Sequence, residues 1–167
     1  MSQPFVSVLM GSDSDLPIME ASFEILRKFN ISFEVKVTSA HRTPKATHDF
    51  VTDADKRGCV AFICDAGMAA HLAGAVYSTT LKPVIGFPIN GSLDGLDSLL
   101  STVQMPGGIP VATVAIGKAG AKNAAYLAAQ IIGVSDPDMH QKLIKERADN
   151  AASIIAKDAA LQESLSK

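Results

Sequence analysis

A histidine and an arginine stand side by side between a predicted strand and a predicted helix. Residues 32–37 alternate apolar or β-branched side chains with polar ones, as a strand does. Thr43 and Pro44 open the next helix, because threonine caps a helix and proline fits its first position. His41 and Arg42 therefore lie at the carboxyl end of a strand, the edge where ligands bind in open α/β sheets. This pair suits proton transfer on an anionic substrate, although a lone pair of this kind is otherwise an ordinary loop histidine and a surface arginine.

A glycine/serine turn follows the first predicted strand, residues 5–10. The turn, residues 11–15, precedes a helical pattern that begins at Leu16, with Asp15 as the predicted N-cap. Backbone N–H groups and the positive end of a helix favour an anion, so the turn is a candidate phosphate site. The alternative is an ordinary capped turn. The turn is neither a P-loop nor a dinucleotide fingerprint, because both glycine patterns are missing.

A second histidine, His71, lies among small residues after a third predicted strand, residues 60–64. Small side chains in residues 65–74 let a ligand approach the backbone closely. Tight helix packing around a buried, hydrogen-bonded histidine is the alternative explanation of this segment.

Strands and helices alternate five times along the chain. This order predicts a three-layer αβα doubly wound (flavodoxin-like) fold with a five-stranded parallel sheet, in which the first three strands deliver their loops to one edge. We expect a single domain, residues 1–167, with an extra helix at about 136–160 capped by Ser135 or Asp136. Its apolar stripe is predicted to pack on a neighbouring subunit, and the tail past Ala160 is predicted to fray. The remaining predicted strands are 83–88 and 111–116, and the remaining predicted helices are 16–29, 44–57, 96–103 and 119–132.

Composition excludes several classes of protein. Hydrophobic residues make up 47% of the chain and charged residues 19%, a balance that predicts burial of surface against other subunits. A net charge of −2 disfavours nucleic-acid and membrane-surface partners. Cys59 and Cys64 point to opposite faces of one strand and are not expected to pair, and no Cys/His metal spacing occurs. Without a signal peptide or an apolar run of roughly 18 residues, we expect a soluble cytoplasmic protein.

The three turns together carry a resemblance to a known family. They read Gly-Ser-Asp-Ser-Asp, Ser-Ala-His-Arg-Thr-Pro and Ala-Ala-His-Leu, the last followed by Gly74, and they resemble the PurE family of purine biosynthesis. The likeness covers nearly the whole chain in the family's order. It extends to residues 83–88, 97–101, 103–106, 108–110 and 115–117.

Two residues are similar to those of the family's bacterial branch, the N5-carboxyaminoimidazole ribonucleotide mutases. They are Arg42 before Thr43-Pro44, and His71. The animal-type branch, which carboxylates aminoimidazole ribonucleotide with free CO2, typically has lysine at the first position and lacks the histidine. Asp65 and Met68 replace family glycines, and Ala73 replaces a proline. We expect Met68 to add bulk and Asp65 to add a possible negative charge near the anion-binding turn.

The resemblance implies a carboxylate transfer from N5 to C4 of the ribonucleotide through released and recaptured CO2. His41 is the expected general acid/base, and no ATP, metal, biotin or other cofactor is expected. Arg42 is expected on the phosphate and Asp15 on the ribose hydroxyls, while Ser39 orients the carboxylate. The full set of expected substrate-binding residues is Ser12, Ser14, Asp15, Ser39, Arg42, Gly67, Ala70, His71 and Leu72, the last four enclosing the CO2.

The resemblance also implies a homo-octamer with sites at subunit contacts. Two alternatives remain open at this point. One is a carboxylase that uses free CO2, and the other is a non-catalytic nucleotide-binding module on the same fold. A phosphoacceptor receiver domain is disfavoured, because the expected acidic pair and strand-end lysine are not in place.

Overall fold

Five parallel strands form the sheet of this protein, whose computed structural model describes residues 4–166. The strand order is β2-β1-β3-β4-β5, with neighbouring strands parallel throughout. In this order β2 lies on one side of β1, and β3, β4 and β5 follow on the other side. This is the order of flavodoxin-like folds and confirms the predicted fold class. The strands are β1 Phe5–Met10, β2 Ser32–Val37, β3 Cys59–Ala66, β4 Val84–Pro88 and β5 Ala112–Thr113.

A helix follows each strand, and the predicted helices 16–29, 44–57, 96–103 and 119–132 agree with the structure to within two residues. A 3₁₀ turn at Asp13–Asp15 leads into the first of them. The helices are α1 Leu16–Lys28, α2 Pro44–Arg57, α3 Leu72–Tyr77, α4 Leu96–Val103, α5 Gly117–Gly133 and α6 Pro137–Leu165.

The three layers are visible at β4, whose consecutive residues point to opposite faces of the sheet. A side chain at Gly86 would meet Thr102 of α4 at 2.7 Å and Ala73 of α3 at 3.2 Å, so these two helices lie on one face. Phe87 faces the other way, toward Gly120 of α5. A Cβ atom at Gly120 would also lie 1.8 Å from the Ala115 carbonyl oxygen, so only glycine permits this approach.

The same arrangement brings the first three loops to one edge. β1 pairs with β2 from Phe5↔Ser32 to Met10↔Val37, and the Thr38 N–H donates to the Met10 carbonyl at 2.9 Å to continue the pairing. β3 pairs with the other side of β1. The loops after β1, β2 and β3 therefore leave adjacent strand ends at the carboxyl edge of the sheet.

Two predicted caps are wrong in detail. Asp15 has helical backbone angles and no side-chain capping bond; Ser12 instead caps the preceding 3₁₀ turn by accepting from the Ser14 N–H. Thr43 makes no capping bond to α2, because its hydroxyl is turned back toward the preceding loop. Asp136, in contrast, caps α6, because its side chain accepts from the backbone N–H groups of Asp138 and Met139.

Two further differences from the sequence prediction concern element length. β5 is only two residues long, although 111–116 reads as a strand, because it pairs with β4 over two residues only. Helix α6 continues to Leu165, past Ala160 where fraying was expected. Cys59 and Cys64 are both free, as predicted, and both are buried.

Residue contacts divide the chain into two compact units. The first extends to Ala129 and contains the sheet, and the second begins at Gln130 and contains α6. Five large apolar side chains of α6 are exposed, namely Ile144, Ile154, Ile155, Leu161 and Leu165. Across residues 4–166, no helix combines the length and apolarity needed to cross a bilayer.

Candidate active site

The three loops line one open cleft of about 510 Å³ at the carboxyl edge of the sheet. Nine of the ten residues predicted for the site line this cleft: Ser12, Ser14, Asp15, Ser39, His41, Arg42, Gly67, His71 and Leu72. The tenth, Ala70, is buried beside it and contributes no lining surface.

The two predicted histidines are in direct contact. His41 Nε2 lies 2.7 Å from His71 Nδ1, and the two rings meet edge to face with their centroids 4.9 Å apart. Such a contact requires one ring nitrogen to carry a proton and the other to offer a lone pair, so the tautomer of one ring fixes that of the other. Both side chains are exposed to the cleft. The pair can therefore hold a transferable proton where a substrate has access to it.

Hydroxyl groups brace the loop that carries His41. The Thr43 hydroxyl accepts from the Ser39 N–H at 2.9 Å, while the Thr43 N–H donates to the Ser39 carbonyl at 2.9 Å. Buried Thr38 links Thr43 to Thr47 of α2 through hydroxyl contacts of 3.1 and 2.8 Å. This network fixes the six-residue path from β2 to α2.

A serine from α4 braces the loop that carries His71. Ser101 Oγ accepts from the Ala70 N–H at 3.1 Å and donates to the Asp97 carbonyl at 2.5 Å. Two residues before Ala70, Met68 has a φ of +51°, a left-handed conformation that is rare outside glycine. Its side chain is 62% exposed and lines the cleft, so its added bulk lies at the site, as the sequence predicted.

The turn after β1 presents hydroxyl and carboxylate groups to the cleft. Ser12 Oγ accepts from the Ser14 N–H at 3.2 Å and contacts the Ser14 hydroxyl at 2.8 Å. Asp15 makes no capping bond, and its Oδ1 accepts from the Ser14 hydroxyl at 3.3 Å, so the carboxylate has capacity left to accept from ligand hydroxyls. α1 begins directly after this turn, so its positive end faces the same region.

Arg42 supplies the cation of the cleft. It is exposed, and no hydrogen bond or ion pair to the rest of residues 4–166 holds its guanidinium group. A free guanidinium beside serine hydroxyls and a helix N-terminus is suited to a phosphate.

A buried carboxyl lies beneath the cleft at the end of β3. Asp65 is 0% exposed, and its Oδ1 accepts from the Gly11 N–H at 3.1 Å. Burial raises the pKa of this carboxyl well above its usual range, repulsion from Asp15 adds to the rise, and the bond from Gly11 opposes it. The added charge predicted at this position is therefore disfavoured in the folded protein.

Sequence reasoning missed two contributors to the site. Ser101 falls in the predicted helix 96–103 and in the stretch 97–101 that resembles the family, and nothing in the sequence links it to Ala70, 31 residues away. Thr38 directly follows the predicted strand 32–37, and the sequence does not show that its hydroxyl joins the His41 loop to α2. Within the described part of the chain, no group of three His, Cys, Asp or Glu side chains is placed to hold a metal ion.

Comparisons with known proteins place the chain among enzymes that act on aminoimidazole ribonucleotides. It is 51% identical over 150 residues to the N5-carboxyaminoimidazole ribonucleotide mutase of Pyrococcus abyssi, covering 89% of this chain and 85% of that protein. It is also 56% identical over 138 residues to the phosphoribosylaminoimidazole carboxylase of Ogataea methanolica, covering 82% of this chain but 25% of that longer protein.

A solved structure and a family model agree with these relatives. The crystal structure of Treponema denticola PurE superposes with a TM-score of 0.86 at 31% identity, covering 95% of this chain and 99% of that one. The model of the family described as AIR carboxylase matches residues 5–153. The chain therefore belongs to the AIR carboxylase family.

Proposed function

We propose that this protein is an isomerase that moves a carboxylate from N5 to C4 of N5-carboxyaminoimidazole ribonucleotide, a step of purine biosynthesis. The observation that carries the proposal is the 2.7 Å contact between His41 and His71 in a cleft that also contains Arg42 and the serine turn. The relative from Pyrococcus abyssi, named as a mutase, supports the same reaction.

Each side of the cleft has a role in substrate binding. Arg42 and the turn at Ser12 and Ser14 bind the phosphate through charge and donated hydrogen bonds. Asp15 accepts from the ribose hydroxyls. Ser39 orients the carboxylate, while Gly67, Leu72 and the backbone around Ala70 form the side of the pocket that retains CO2.

His41 moves the proton in this reaction. The bond between N5 and the carboxyl carbon breaks, CO2 is released into the cleft, and N5 gains a proton. C4 then attacks the CO2 carbon, a carbon–carbon bond forms, and the proton on C4 leaves to the imidazole. One proton is given and one is taken, so the imidazole of His41 returns to its starting state. The contact with His71 holds the His41 ring in one orientation.

The proposal is tested by turnover of synthetic N5-carboxyaminoimidazole ribonucleotide in CO2-depleted buffer. C4 carboxylation is followed by the ultraviolet change of the imidazole, with aminoimidazole ribonucleotide plus bicarbonate as the parallel reaction. We expect rapid conversion of the first substrate without added bicarbonate. Conversion that requires bicarbonate would favour the carboxylase activity named for the Ogataea methanolica relative, and ligand binding without turnover would favour a non-catalytic module.

We also propose that the protein works as a cytoplasmic homo-octamer in which residues 1–167 act as a single domain and α6 packs on a neighbouring subunit. The exposed apolar side chains of α6, among them Ile154 and Ile155 at 64% and 70% exposure, support burial in an assembly. Light scattering of the purified protein should give the mass of eight chains, and a monomer would reject the proposal.

A further inference from the structure

Asp65 occupies an unusual place for an acidic residue. It lies one residue before the end of β3, opposite Phe87 of β4, and is completely buried. Buried carboxyl groups are rare unless they are paired, because removing a polar group from water is unfavourable. No cation pairs with Asp65 within residues 4–166. The contacts of its two carboxyl oxygens therefore show what a buried acid does at this position.

One oxygen of Asp65 holds the start of the substrate turn. Oδ1 accepts from the N–H of Gly11, which is 54 residues away in sequence and is the first residue after β1. The next residue, Ser12, organises the 3₁₀ turn with its hydroxyl. The bond therefore fixes the peptide from which the turn departs.

The other oxygen, Oδ2, is buried and has no hydrogen-bond partner among the described residues. Burial and the nearby carboxylate of Asp15 both favour the neutral acid over the carboxylate. A neutral acid still accepts from the Gly11 N–H through its carbonyl oxygen. It also brings no second negative charge beneath a turn that is to receive a phosphate.

We propose that Asp65 is a positioning residue for substrate binding, which sets the turn at residues 11–15 from below through the Gly11 N–H. This role rests on the proposed function of that turn in binding the ribonucleotide. Asp65 has no hydrogen bond to His41 or His71. Its removal should therefore weaken substrate binding and leave the proton transfer intact.

The test compares Asp65→Ala with Asp65→Asn in steady-state turnover of N5-carboxyaminoimidazole ribonucleotide. The asparagine keeps a carbonyl oxygen for Gly11 and, like the neutral acid, carries no charge, whereas alanine removes the acceptor. We expect Asp65→Ala to raise KM about tenfold, the effect of one lost hydrogen bond, with kcat within about threefold of wild type. Asp65→Asn should restore KM to within about threefold.

Ser22→Ala is the matched control. Ser22 Oγ is the other buried side-chain oxygen without a partner in residues 4–166, and Ser22 lies on α1 outside the cleft. This variant removes an equally buried polar group, and we expect KM and kcat to remain at the wild-type values. A rise in KM equal to that of Asp65→Ala would show a general response to changes in the core and overturn the positioning role.

Hydrogen exchange of the Gly11 amide gives a second measurement that does not depend on turnover. Exchange should accelerate at least fivefold in Asp65→Ala and stay near wild type in Asp65→Asn. Unchanged exchange and unchanged KM in Asp65→Ala, or an asparagine variant that behaves like alanine, would overturn the inference. If the wild-type protein itself shows no turnover, the proposed function fails, while the exchange result and calorimetric binding of ribose 5-phosphate still decide the role of Asp65.

Discussion

The loops that carry the two histidines are held in place in different ways. The loop after β2, which carries His41, is braced by side chains within or next to it, above all by Thr43. The loop after β3, which carries His71, is braced by Ser101 of α4 and follows the residue that bonds to Gly11. One imidazole is thus positioned locally and the other by residues distant in sequence.

Because of this difference, we expect the two loops to tolerate the loss of a single hydrogen bond unequally. The path from Thr38 to Thr43 has several hydroxyl and backbone bonds, so the loss of one leaves others in place. The Ala70 N–H has one acceptor, the Ser101 hydroxyl, and it belongs to a buried residue. An unpaired buried N–H is costly, so the His71 loop should be the more sensitive of the two.

Replacing His41 with asparagine should have the largest effect. The variant keeps a polar side chain in an exposed loop, so we expect it to fold and to bind the ribonucleotide. Turnover should fall by about 100-fold or more, the usual contribution of a general acid/base. Steady-state kinetics and calorimetric binding measure the two effects separately.

His48→Asn is the control for this substitution. His48 lies on α2 with its side chain 64% exposed and is outside the cleft, so this variant should keep wild-type turnover. Activity of His41→Asn within about tenfold of wild type would contradict the assignment of His41, since general acid–base catalysis is worth more than that.

Ser101→Ala should have the next largest effect, although Ser101 does not line the cleft. Removing its hydroxyl leaves the Ala70 N–H without an acceptor and loosens the loop that holds His71 against His41. We expect kcat/KM to fall about tenfold and the free energy of unfolding to fall by about 1 kcal/mol. Kinetics and chemical denaturation of the same samples measure both.

Ser78→Ala is the matched control for Ser101→Ala. Ser78 follows α3, and its hydroxyl donates locally to the Ala75 carbonyl, so activity should be unchanged. Wild-type kcat/KM in Ser101→Ala would mean that the His71 loop does not depend on α4.

Thr43→Val should have a smaller effect. Valine has nearly the shape of threonine but lacks the hydroxyl that accepts from the Ser39 N–H. The hydroxyl contacts with Ser39 and Thr38 are lost, but the bond from the Thr43 N–H to the Ser39 carbonyl remains, so we expect kcat/KM to fall only about threefold. Thr43→Ser keeps the hydroxyl and should retain wild-type kinetics. A larger loss in Thr43→Val than in Ser101→Ala would reverse the order of sensitivity.

The loop after β2, which carries His41, is also the one whose flanking strand and helix the sequence predicts well. The alternation in residues 32–37 and the pair Thr43-Pro44 lie within one short stretch, residues 32–44, and β2 and α2 have the predicted bounds. The bracing of the His71 loop depends on Ser101, and the anchoring of Gly11 on Asp65, across 31 and 54 residues. Propensity and periodicity describe neighbours along the chain, so neither contact is visible before the fold brings the residues together.

The contrast extends to pH, where the expected effect is on the free energy of unfolding and not on turnover. Asp65, near the end of β3, anchors Gly11 and is an acid whose folded pKa is raised by burial, whereas the loop after β2 is braced by hydroxyls that do not titrate. Below the ordinary value of 3.8, Asp65 is protonated in both the folded and the unfolded chain. As pH rises from there toward the folded pKa, the unfolded chain loses this proton while the folded protein keeps it, so the free energy of unfolding falls. Asp65→Asn cannot titrate at this position and should lack this decline. Its free energy of unfolding, measured by urea denaturation across the pH series, should therefore increase relative to that of the wild type as pH rises. A difference that is constant with pH, or that shrinks, would mean that Asp65 is ionised in the folded protein.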